Sequence, residues 1–346
     1  MNGLIKGLLV TGGLALAATL AADALVDRSR WFSYRGKRII VTGGSRGLGL
    51  VVARQLLDAG ARVAICARTE EDLEIAEKEL RRRGGEVISI PCDIRDQGQV
   101  HAMVQRVVDQ WGGVDVLFNV AGIIQVGPLD SMTLEDFHEA MDINCWGPLH
   151  TSLAVLPYMR SHRWGRIVNI ASIGGKQAVP HLIPYVTSKF ALVGLSNGLR
   201  TELAKDGVVV TTVCPGLMRT GSPRAATFKG KHREEYTWFS VGGALPLASM
   251  DAGKAARQTL TACQRGDAEV ILFNRSNLGL LFQQVAPEWT TEIFSLINRL
   301  LPEMGGIGRQ AARGYQSQTE WSPSWLTALG DRAAVQNNEM GPRPNP

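Results

Sequence analysis

The sequence predicts an α/β fold built on a single doubly wound parallel sheet. A β-branched run, Arg38–Thr42, leads into a glycine-rich turn and then into a helical pattern from Leu50 to Ala59. Further β-rich runs alternate with longer helical patterns, as expected for a parallel sheet with helices on both faces. With 346 residues and 45% hydrophobic content, one domain can bury a sizeable core and leave residues over at both ends.

The later strands are predicted as short apolar runs. They cover Arg62–Ala67, Glu86–Pro91, Val114–Asn119, Arg166–Ala171, Val208–Val213 and Glu269–Phe273. Ligands of such sheets bind beyond the carboxyl ends of the strands. The motifs described below fall at or just after those ends, so pattern and motifs support one another.

The turn after the first strand reads Gly43-Gly44-Ser45-Arg46-Gly47-Leu48-Gly49, with the spacing T-G-x-x-x-G-x-G from Thr42. Glycines let the backbone turn tightly and approach a pyrophosphate, whose charge then meets the exposed N–H groups of the helix start. A glycine cluster alone is weak support, because such turns also merely join elements. Its position between strand and helix favours nucleotide binding.

A second motif, Tyr185-Val186-Thr187-Ser188-Lys189, follows Ser172 by thirteen positions. If Pro184–Asp206 is helical, as its periodic apolar residues indicate, Tyr185 and Lys189 project from one face. A nearby ammonium favours the phenolate and moves the phenol towards a useful acid/base range. Such a pair also occurs by chance on many helices, so its significance depends on the rest of the chain.

Together these motifs resemble the short-chain dehydrogenases/reductases, in the branch that pairs TGxxxGxG with YxxxK. The resemblance spans about Arg35 to Asn274. Its motifs follow the family order: Thr42 to Gly49, Asp93, Asn119-Val120-Ala121-Gly122, Asn144, Ser172, Tyr185 with Lys189, and Pro215-Gly216 with Thr220. Val120 is a mild departure, since the family often has a second Asn there. The resemblance implies a Rossmann fold and an NAD(P)-dependent oxidoreductase.

The resemblance also implies a catalytic role for four side chains. Ser172 would hold the substrate oxygen, and Tyr185 would donate a proton to it as hydride arrives from the nicotinamide. Lys189 would stabilise the phenolate and hold the nicotinamide ribose. Asn144 would kink its helix and position a water in the proton relay; a satisfied core amide is the alternative at that position.

Charge at the second strand end favours NADP(H) over NAD(H). An acid there would select NAD, but this chain has Cys66-Ala67-Arg68, and Arg46 in the glycine turn supplies a second guanidinium. Forked donors suit a 2′-phosphate; alternatively Arg68 merely snorkels at the strand end and Arg46 is solvated. By resemblance Asp93 accepts from the adenine amine, while Asn119 lines the cofactor channel or ties strands together. The predicted cofactor-binding residues are Thr42, Gly43, Ser45, Arg46, Gly47, Leu48, Gly49, Arg68, Asp93, Ile94, Asn119, Ala121, Gly122, Tyr185, Lys189, Pro215, Gly216 and Thr220.

Composition argues against several other classes. The net charge is +5, but the cations are scattered, so no nucleic-acid partner is expected. The five cysteines lie mostly in apolar surroundings without a C-x-x-C pair, which predicts buried reduced thiols. No metal-ligand spacing appears, and no metal is expected.

The N-terminal segment Leu4–Val26 is apolar and uncharged from Gly7 through Ala22. A spanning helix needs about 20 residues, so a membrane anchor, a cleaved signal peptide and a helix packed on the protein all remain open. The anchor is favoured. Basic residues follow the segment and obey the positive-inside rule for a catalytic domain in the cytoplasm. They are Arg28, Arg30, Arg35, Lys37 and Arg38.

The predicted organisation is an anchor and linker over residues 1–34, a catalytic domain over 35–274 and a helical C-terminal extension over 275–346 with a disordered tail. Apolar runs at 278–282 and 293–301 exceed what the fold requires. They could cap the substrate cleft, pair subunits in a homodimer or homotetramer, or lie in a lipid headgroup layer.

The sequence therefore predicts a membrane-associated, NADP(H)-dependent enzyme that interconverts a carbonyl and an alcohol on a lipophilic small molecule. Lipophilicity is inferred from location alone. A rival is a membrane-tethered NADPH-binding sensor without catalysis, which would need the glycine turn and Arg68 but not the catalytic residues. A sugar-nucleotide epimerase or dehydratase shares Tyr and Lys but resembles a T-G-x-x-G-x-x-G branch that this turn does not match.

Overall fold

The computed structural model describes residues 31–246, 248–272 and 286–340. The strands are β1 (Arg38–Thr42), β2 (Arg62–Ala67), β3 (Val87–Pro91), β4 (Val116–Asn119), β5 (Gln125–Val126), β6 (Gly165–Ile170), β7 (Val208–Pro215), β8 (Leu217–Arg219), β9 (Thr227–Phe228), β10 (Ser249–Asp251), β11 (Glu269–Leu272) and β12 (Ala312–Arg313). The helices are α1 (Gly47–Asp58), α2 (Glu70–Arg81), α3 (Gln97–Trp111), α4 (Leu134–Met141), α5 (Gly147–Ser161), α6 (Ile183–Leu203), α7 (His232–Ala244), α8 (Ala252–Arg265), α9 (Pro287–Asn298) and α10 (Ala328–Gln336).

The main sheet confirms the predicted doubly wound architecture. Its seven strands pair in parallel in the order β11-β7-β6-β4-β1-β2-β3. The strand order reverses between β1 and β4, and a ligand crevice forms at such a switch point, outside the carboxyl ends of the strands. Strands end within a few residues of the predicted bounds, although β7 runs on to Pro215.

Apolar side chains cover both faces of this sheet. On one face α1, α2 and α8 enclose a core that includes Leu50, Leu73 and Leu260. On the other, α3, α5 and α6 enclose a second core that includes Val104 and Met159. Burial of these surfaces is the main force that stabilises the fold, and it fixes the strand ends that carry the site.

The described part of the C-terminal extension contains the helices α9 and α10, separated by a stretch that includes the short strand β12. Between α9 and α10 the chain turns at Gly305, Gly306 and Gly308, whose φ angles are 151°, 59° and 60°. Positive φ suits glycine and interrupts helix. The extension packs on α7 and adds β12 to a small sheet with β9 and β5; Ser240 Oγ, for example, donates to Ser322 Oγ at 3.0 Å.

At the other end the ordered packing begins before the predicted boundary at residue 35. Tyr34 is buried, and its hydroxyl donates to the Leu260 carbonyl at 2.9 Å. The predicted anchor Leu4–Val26 lies outside the described residues. Among the helices that the structure describes, none has both the length and the apolar character needed to cross a membrane.

All five cysteines, Cys66, Cys92, Cys145, Cys214 and Cys263, are buried and free of disulfides, as predicted. Burial raises the pKa of Cys214 to about 12 and that of Cys263 to about 12. These two thiols are therefore inert core groups at neutral pH.

Candidate active site

Asn144 lies where the helical stretch changes its winding. Between α4 and α5, residues Asp142–Trp146 form a π-helical turn, a distortion that often accompanies functional sites. The buried Asn144 amide accepts from the Ile123 N–H at 3.0 Å and donates to the Ile123 carbonyl at 3.2 Å and to Ser188 Oγ at 3.0 Å. The side chain thus ties this turn to the loop after β4 and to α6.

Tyr185 and Lys189 both lie in the first part of α6, which begins at Ile183 with Pro184 in its first turn, a position that suits proline. Lys189 is buried; its ammonium lies 5.7 Å from the centroid of the Tyr185 ring and donates to the Ile170 carbonyl at 2.9 Å. The end of β6 therefore fixes the ammonium beside the phenol, as the i, i+4 spacing predicts.

Ser172 follows β6 directly and reaches the same place. Its Oγ accepts from the Gly174 N–H at 2.9 Å, which fixes the hydroxyl rotamer. A Cβ on Gly174 would lie 3.3 Å from Tyr185 Cε1 and 3.4 Å from Ser172 Oγ, so the serine and the phenol converge over this glycine. A carbonyl oxygen placed there can meet two donors.

Burial controls the protonation of both ionisable groups. It raises the pKa of Tyr185 above its ordinary value, an effect partly offset by hydrogen bonding with Ser172. It lowers the pKa of Lys189 to about 8. Because desolvation disfavours whichever form is charged, the free protein holds a neutral phenol beside an ammonium that loses its proton in the weakly alkaline range.

Gly122 connects these residues to the crevice between β1 and β4. A Cβ at this position would lie 2.9 Å from Asn144 Oδ1, too close for the amide to stay in place, and would be in van der Waals contact with Lys189 Nζ at 3.5 Å. Thr42, at the end of β1, accepts through Oγ1 from the Val120 N–H at 3.0 Å and the Ala121 N–H at 3.2 Å. These bonds hold the two loops that border the crevice.

The glycine turn has the shape that a pyrophosphate requires. Gly43 and Gly47 have φ angles of 65° and 55°, and a Cβ on Gly49 would overlap the Gly43 carbonyl. The turn ends at the N-terminus of α1, where backbone N–H groups and the helix dipole favour an anion. The residues present therefore fit the diphosphate of a dinucleotide.

The predicted adenosine-side residues lie around this turn. Arg46 is exposed enough to meet a ligand, although its Nε lies 3.7 Å from Glu339 Oε2 and its Nη1 lies 3.9 Å from Asp72 Oδ2. Arg68 is exposed at the end of β2. Arg95 binds the Asp93 carboxylate through Nε and Nη2 and lowers its pKa, so this carboxylate already has a cationic partner.

Asn119 and Ile94 lie deeper than the crevice surface. Asn119 is buried, donates to Asn169 Oδ1 at 2.9 Å and accepts from Thr151 Oγ1 at 2.7 Å. This network joins β4 to β6 and fits the structural alternative given for this residue. Ile94 is also buried, and its carbonyl lies 3.1 Å from His150 Nδ1.

The predicted nicotinamide-side segment begins where β7 ends at Pro215 and continues through Gly216 and β8 to Thr220. Thr220 is buried; its Oγ1 accepts from the Ser222 N–H at 3.2 Å. Its carbonyl accepts from Asn337 Nδ2 at 3.3 Å. A residue of the C-terminal extension therefore reaches this segment.

Sequence reasoning missed Asn337, Asn338 and Glu339. The Gly47 N–H donates to the Asn337 carbonyl at 2.8 Å, and Asn338 Nδ2 donates to the Ser45 carbonyl at 3.1 Å. A Cβ on Gly47 would lie 2.6 Å from Glu339 Oε1. A short polar run far from the motifs carries no periodicity or spacing that signals such a contact.

Comparison with known proteins agrees with this geometry. The short chain dehydrogenase family matches residues 37–228. A Streptomyces coelicolor protein named "Putative ketoacyl reductase" is 42% identical over 200 residues, covering 57% of this chain and 74% of the relative. The Anopheles gambiae dehydrogenase/reductase SDR family protein 7-like is 33% identical over 243 residues, covering 68% and 75%. The crystal structure of an actinorhodin polyketide ketoreductase variant with NADPH is 33% identical, with a TM-score of 0.62, covering 68% of this chain and 95% of that one.

Proposed function

The chain belongs to the short chain dehydrogenase family, and on that premise we propose that it uses NADPH to reduce the carbonyl group of a lipophilic substrate. Oxidoreductase activity with a nicotinamide cofactor follows from the family. The observation that supports the finer proposal is the convergence of Ser172 and Tyr185 over Gly174, with the buried Lys189 ammonium alongside. A sensor without catalysis would not need this group of side chains.

In the proposed mechanism the bound dinucleotide supplies the hydride, and the protein supplies the proton and the positioning. Ser172 Oγ donates a hydrogen bond to the substrate oxygen. The Tyr185 hydroxyl transfers its proton to the same oxygen, so the carbonyl gains hydride on carbon and a proton on oxygen. Lys189 stabilises the phenolate that is left. We assign catalytic roles to Asn144, Ser172, Tyr185 and Lys189. Asn144 keeps the Ile123 loop and α6 in position relative to each other through its hydrogen bonds.

The proposed preference for NADPH rests on charge and on a relative. The end of β2 offers Arg68 and no carboxylate, and Arg46 lies in the adjacent turn. The actinorhodin ketoreductase structure contains NADPH. Forked guanidinium donors match the oxygens of a 2′-phosphate.

Neutralising both arginines, Arg46→Gln with Arg68→Gln, is expected to weaken NADPH binding much more than NADH binding. Only NADPH offers the extra phosphate, and each charged hydrogen bond contributes roughly 1.5–3 kcal/mol. Titration of both cofactors by nucleotide fluorescence measures the difference. Arg82→Gln, an exposed arginine just beyond the other end of α2, is the control and should leave both affinities unchanged. Equal losses for NADPH and NADH in the double variant would refute the 2′-phosphate role.

A lipophilic substrate is proposed because apolar side chains accompany Tyr185. Ile124, Val179 and Trp238 are partly buried and pack, with Tyr185, against one apolar cluster. Several relatives carry ketoacyl reductase names. A screen of aldehydes, ketosteroids, quinones and β-ketoacyl thioesters, followed by NADPH absorbance, tests the substrate class. Turnover confined to small hydrophilic carbonyls would reject it.

We also propose that Leu4–Val26 tethers the enzyme to a membrane with the catalytic domain on the cytoplasmic side. Deleting Met1–Asp27 is expected to move the protein from the membrane pellet towards the supernatant and to preserve NADPH binding, because Tyr34 and β1 remain. Fractionation with an alkaline carbonate wash and intact-mass measurement give the readout. A full-length protein in the supernatant would reject the anchor, and a mass lacking the segment would indicate cleavage. Insoluble truncated protein without cofactor binding would show that the segment packs into the fold.

A further inference from the structure

The last described part of the chain lies on the proposed dinucleotide site. We call residues Asn337–Glu339, together with α10 that precedes them, the C-terminal plug. The Gly47 N–H, the first amide of α1, donates to the Asn337 carbonyl at 2.8 Å. In this fold the amides of that helix start are the groups that receive the pyrophosphate. The plug therefore uses a donor that the dinucleotide needs.

The plug also spans the path between the two ends of the cofactor site. Asn337 Nδ2 donates to the Thr220 carbonyl at 3.3 Å, directly after β8, and Asn338 Nδ2 donates to the Ser45 carbonyl at 3.1 Å in the glycine turn. A dinucleotide that reaches from the glycine turn to the nicotinamide-side segment has to cross this path. Plug and cofactor exclude one another in this arrangement.

Glu339 presents a carboxyl group where the phosphates would bind. It is buried, its Oε1 would lie 2.6 Å from a Cβ on Gly47, and its Oε2 lies 3.7 Å from Arg46 Nε. A carboxylate thus faces the helix N-terminus and one of the guanidinium groups assigned to the cofactor. Such positions favour negative charge. Glu339 and the diphosphate therefore compete for the same helix N-terminus and the same guanidinium group.

Other contacts hold the plug, but its buried carboxyl group is only partly satisfied. Arg54 donates to the Gln336 carbonyl at 2.7 Å and to Asn337 Oδ1 at 3.0 Å. In contrast, Glu339 Oε2 makes no hydrogen bond within the part of the chain that the structure describes. Burial raises the pKa of Glu339 to about 7. An incompletely satisfied buried carboxylate weakens its own docking, which suits a segment that has to leave.

We propose that the C-terminal plug is an intramolecular competitor of the cofactor: it covers the glycine turn in the free enzyme and is displaced when the dinucleotide binds. This inference rests on the proposed function, since it requires the crevice to bind a nicotinamide dinucleotide. The apparent cofactor affinity is then lowered by the fraction of molecules in which the plug is docked. Any partner or modification that holds the plug away would activate the enzyme.

A matched pair of substitutions on α10 tests the competition in the full chain. Ala334 is fully buried, and a Cβ on Gly221 would lie 2.5 Å from its Cα, whereas the next residue, Val335, is 65% exposed. Ala334→Asp should therefore displace the plug, because it places a charge in a buried contact. Val335→Asp should leave the plug docked, because that side chain is exposed. If the plug covers the site in nine of ten molecules, Ala334→Asp should lower the Kd for NADPH about tenfold, with Val335→Asp equal to the wild type.

Amide hydrogen exchange of the wild-type protein gives a second readout that does not depend on the variants. Saturating NADPH should slow exchange in the glycine turn and speed exchange over residues 328–340. Slower exchange in both segments would overturn the competition, because the plug would then close over the cofactor as part of its site. Equal or weaker NADPH binding by folded Ala334→Asp would overturn it too. Absence of NADPH and NADH binding in all three proteins would instead overturn the proposed function, and the inference with it.

Discussion

Replacing Tyr185 by phenylalanine is expected to lower kcat by at least ~10²–10⁴-fold, the usual contribution of a general acid. The substitution removes only the hydroxyl that would protonate the substrate oxygen. The ring remains against Gly174 and the apolar cluster, so packing changes little. Steady-state rates of NADPH oxidation with a ketone or β-ketoacyl thioester measure the loss.

The affinity for NADPH should stay nearly unchanged in Tyr185→Phe, which separates lost chemistry from lost binding. Tyr158→Phe is the matched control; its hydroxyl donates to Gln105 Oε1 on the exposed contact between α3 and α5, and activity should be retained. Full turnover by Tyr185→Phe would rule out the tyrosine as the proton donor.

Replacing Lys189 by methionine is expected to lower kcat by about 10²–10³-fold, a typical effect of removing one group that stabilises developing negative charge. Methionine fills the buried space of the lysine stem but leaves the Ile170 carbonyl without its donor and the phenolate without a neighbouring charge. NADPH affinity should fall as well, because Lys189 is proposed to hold the nicotinamide ribose. Unchanged cofactor affinity in Lys189→Met would remove that second role.

The lysine also predicts how activity depends on pH. Burial depresses the pKa of Lys189 from 10.5 to about 8, so the ammonium is present below that pH and is lost as the pH rises through it. The pKa of Tyr185 is raised, so the phenol keeps its proton across the same range. We expect kcat/KM for reduction, which reports the free enzyme, to decline above about pH 8. The variant Lys189→Met should lack this limb.

The shape of the glycine turn and the placement of the side chains proposed as catalytic could be predicted, because each depends on local spacing. Tyr185 and Lys189 lie one helical turn apart in any α-helix. Gly43, Gly47 and Gly49 lie between a strand and a helix. This order is typical of a tight turn that binds a nucleotide phosphate. The sheet order then brings Ser172 and Gly122 to the same edge as α6.

Roles that depend on tertiary neighbours could not be read from the chain. The predicted contact of Asp93 with the adenine amine stays a prediction, and Arg95, two residues later, folds back on the Asp93 carboxylate. The Asn119 amide is turned into a network with Asn169 and Thr151. The hydrogen-bond partners of these two side chains depend on rotamers and on residues distant in sequence. The periodicity of the sequence contains no information about either.

The C-terminal plug is the clearest case of this limit. Glu339 reaches Arg46 across nearly the whole length of the described chain, and its approach depends on where α10 docks against Gly221. The apolar pattern of the extension indicated residues that have to be covered, but it did not indicate which part of the protein covers them. Only the packed structure shows that the extension reaches the cofactor crevice as well as α7.

Hydride transfer can be followed directly with NADPH carrying deuterium on the transferable position of its nicotinamide. The wild-type protein and a β-ketoacyl thioester or apolar ketone are incubated with this cofactor, and the alcohol is analysed by mass spectrometry. The account predicts deuterium on the former carbonyl carbon, at a rate that falls sharply in Tyr185→Phe while cofactor binding persists. Cofactor binding by a folded wild-type protein, with no label transferred to any carbonyl of the screen, would contradict it.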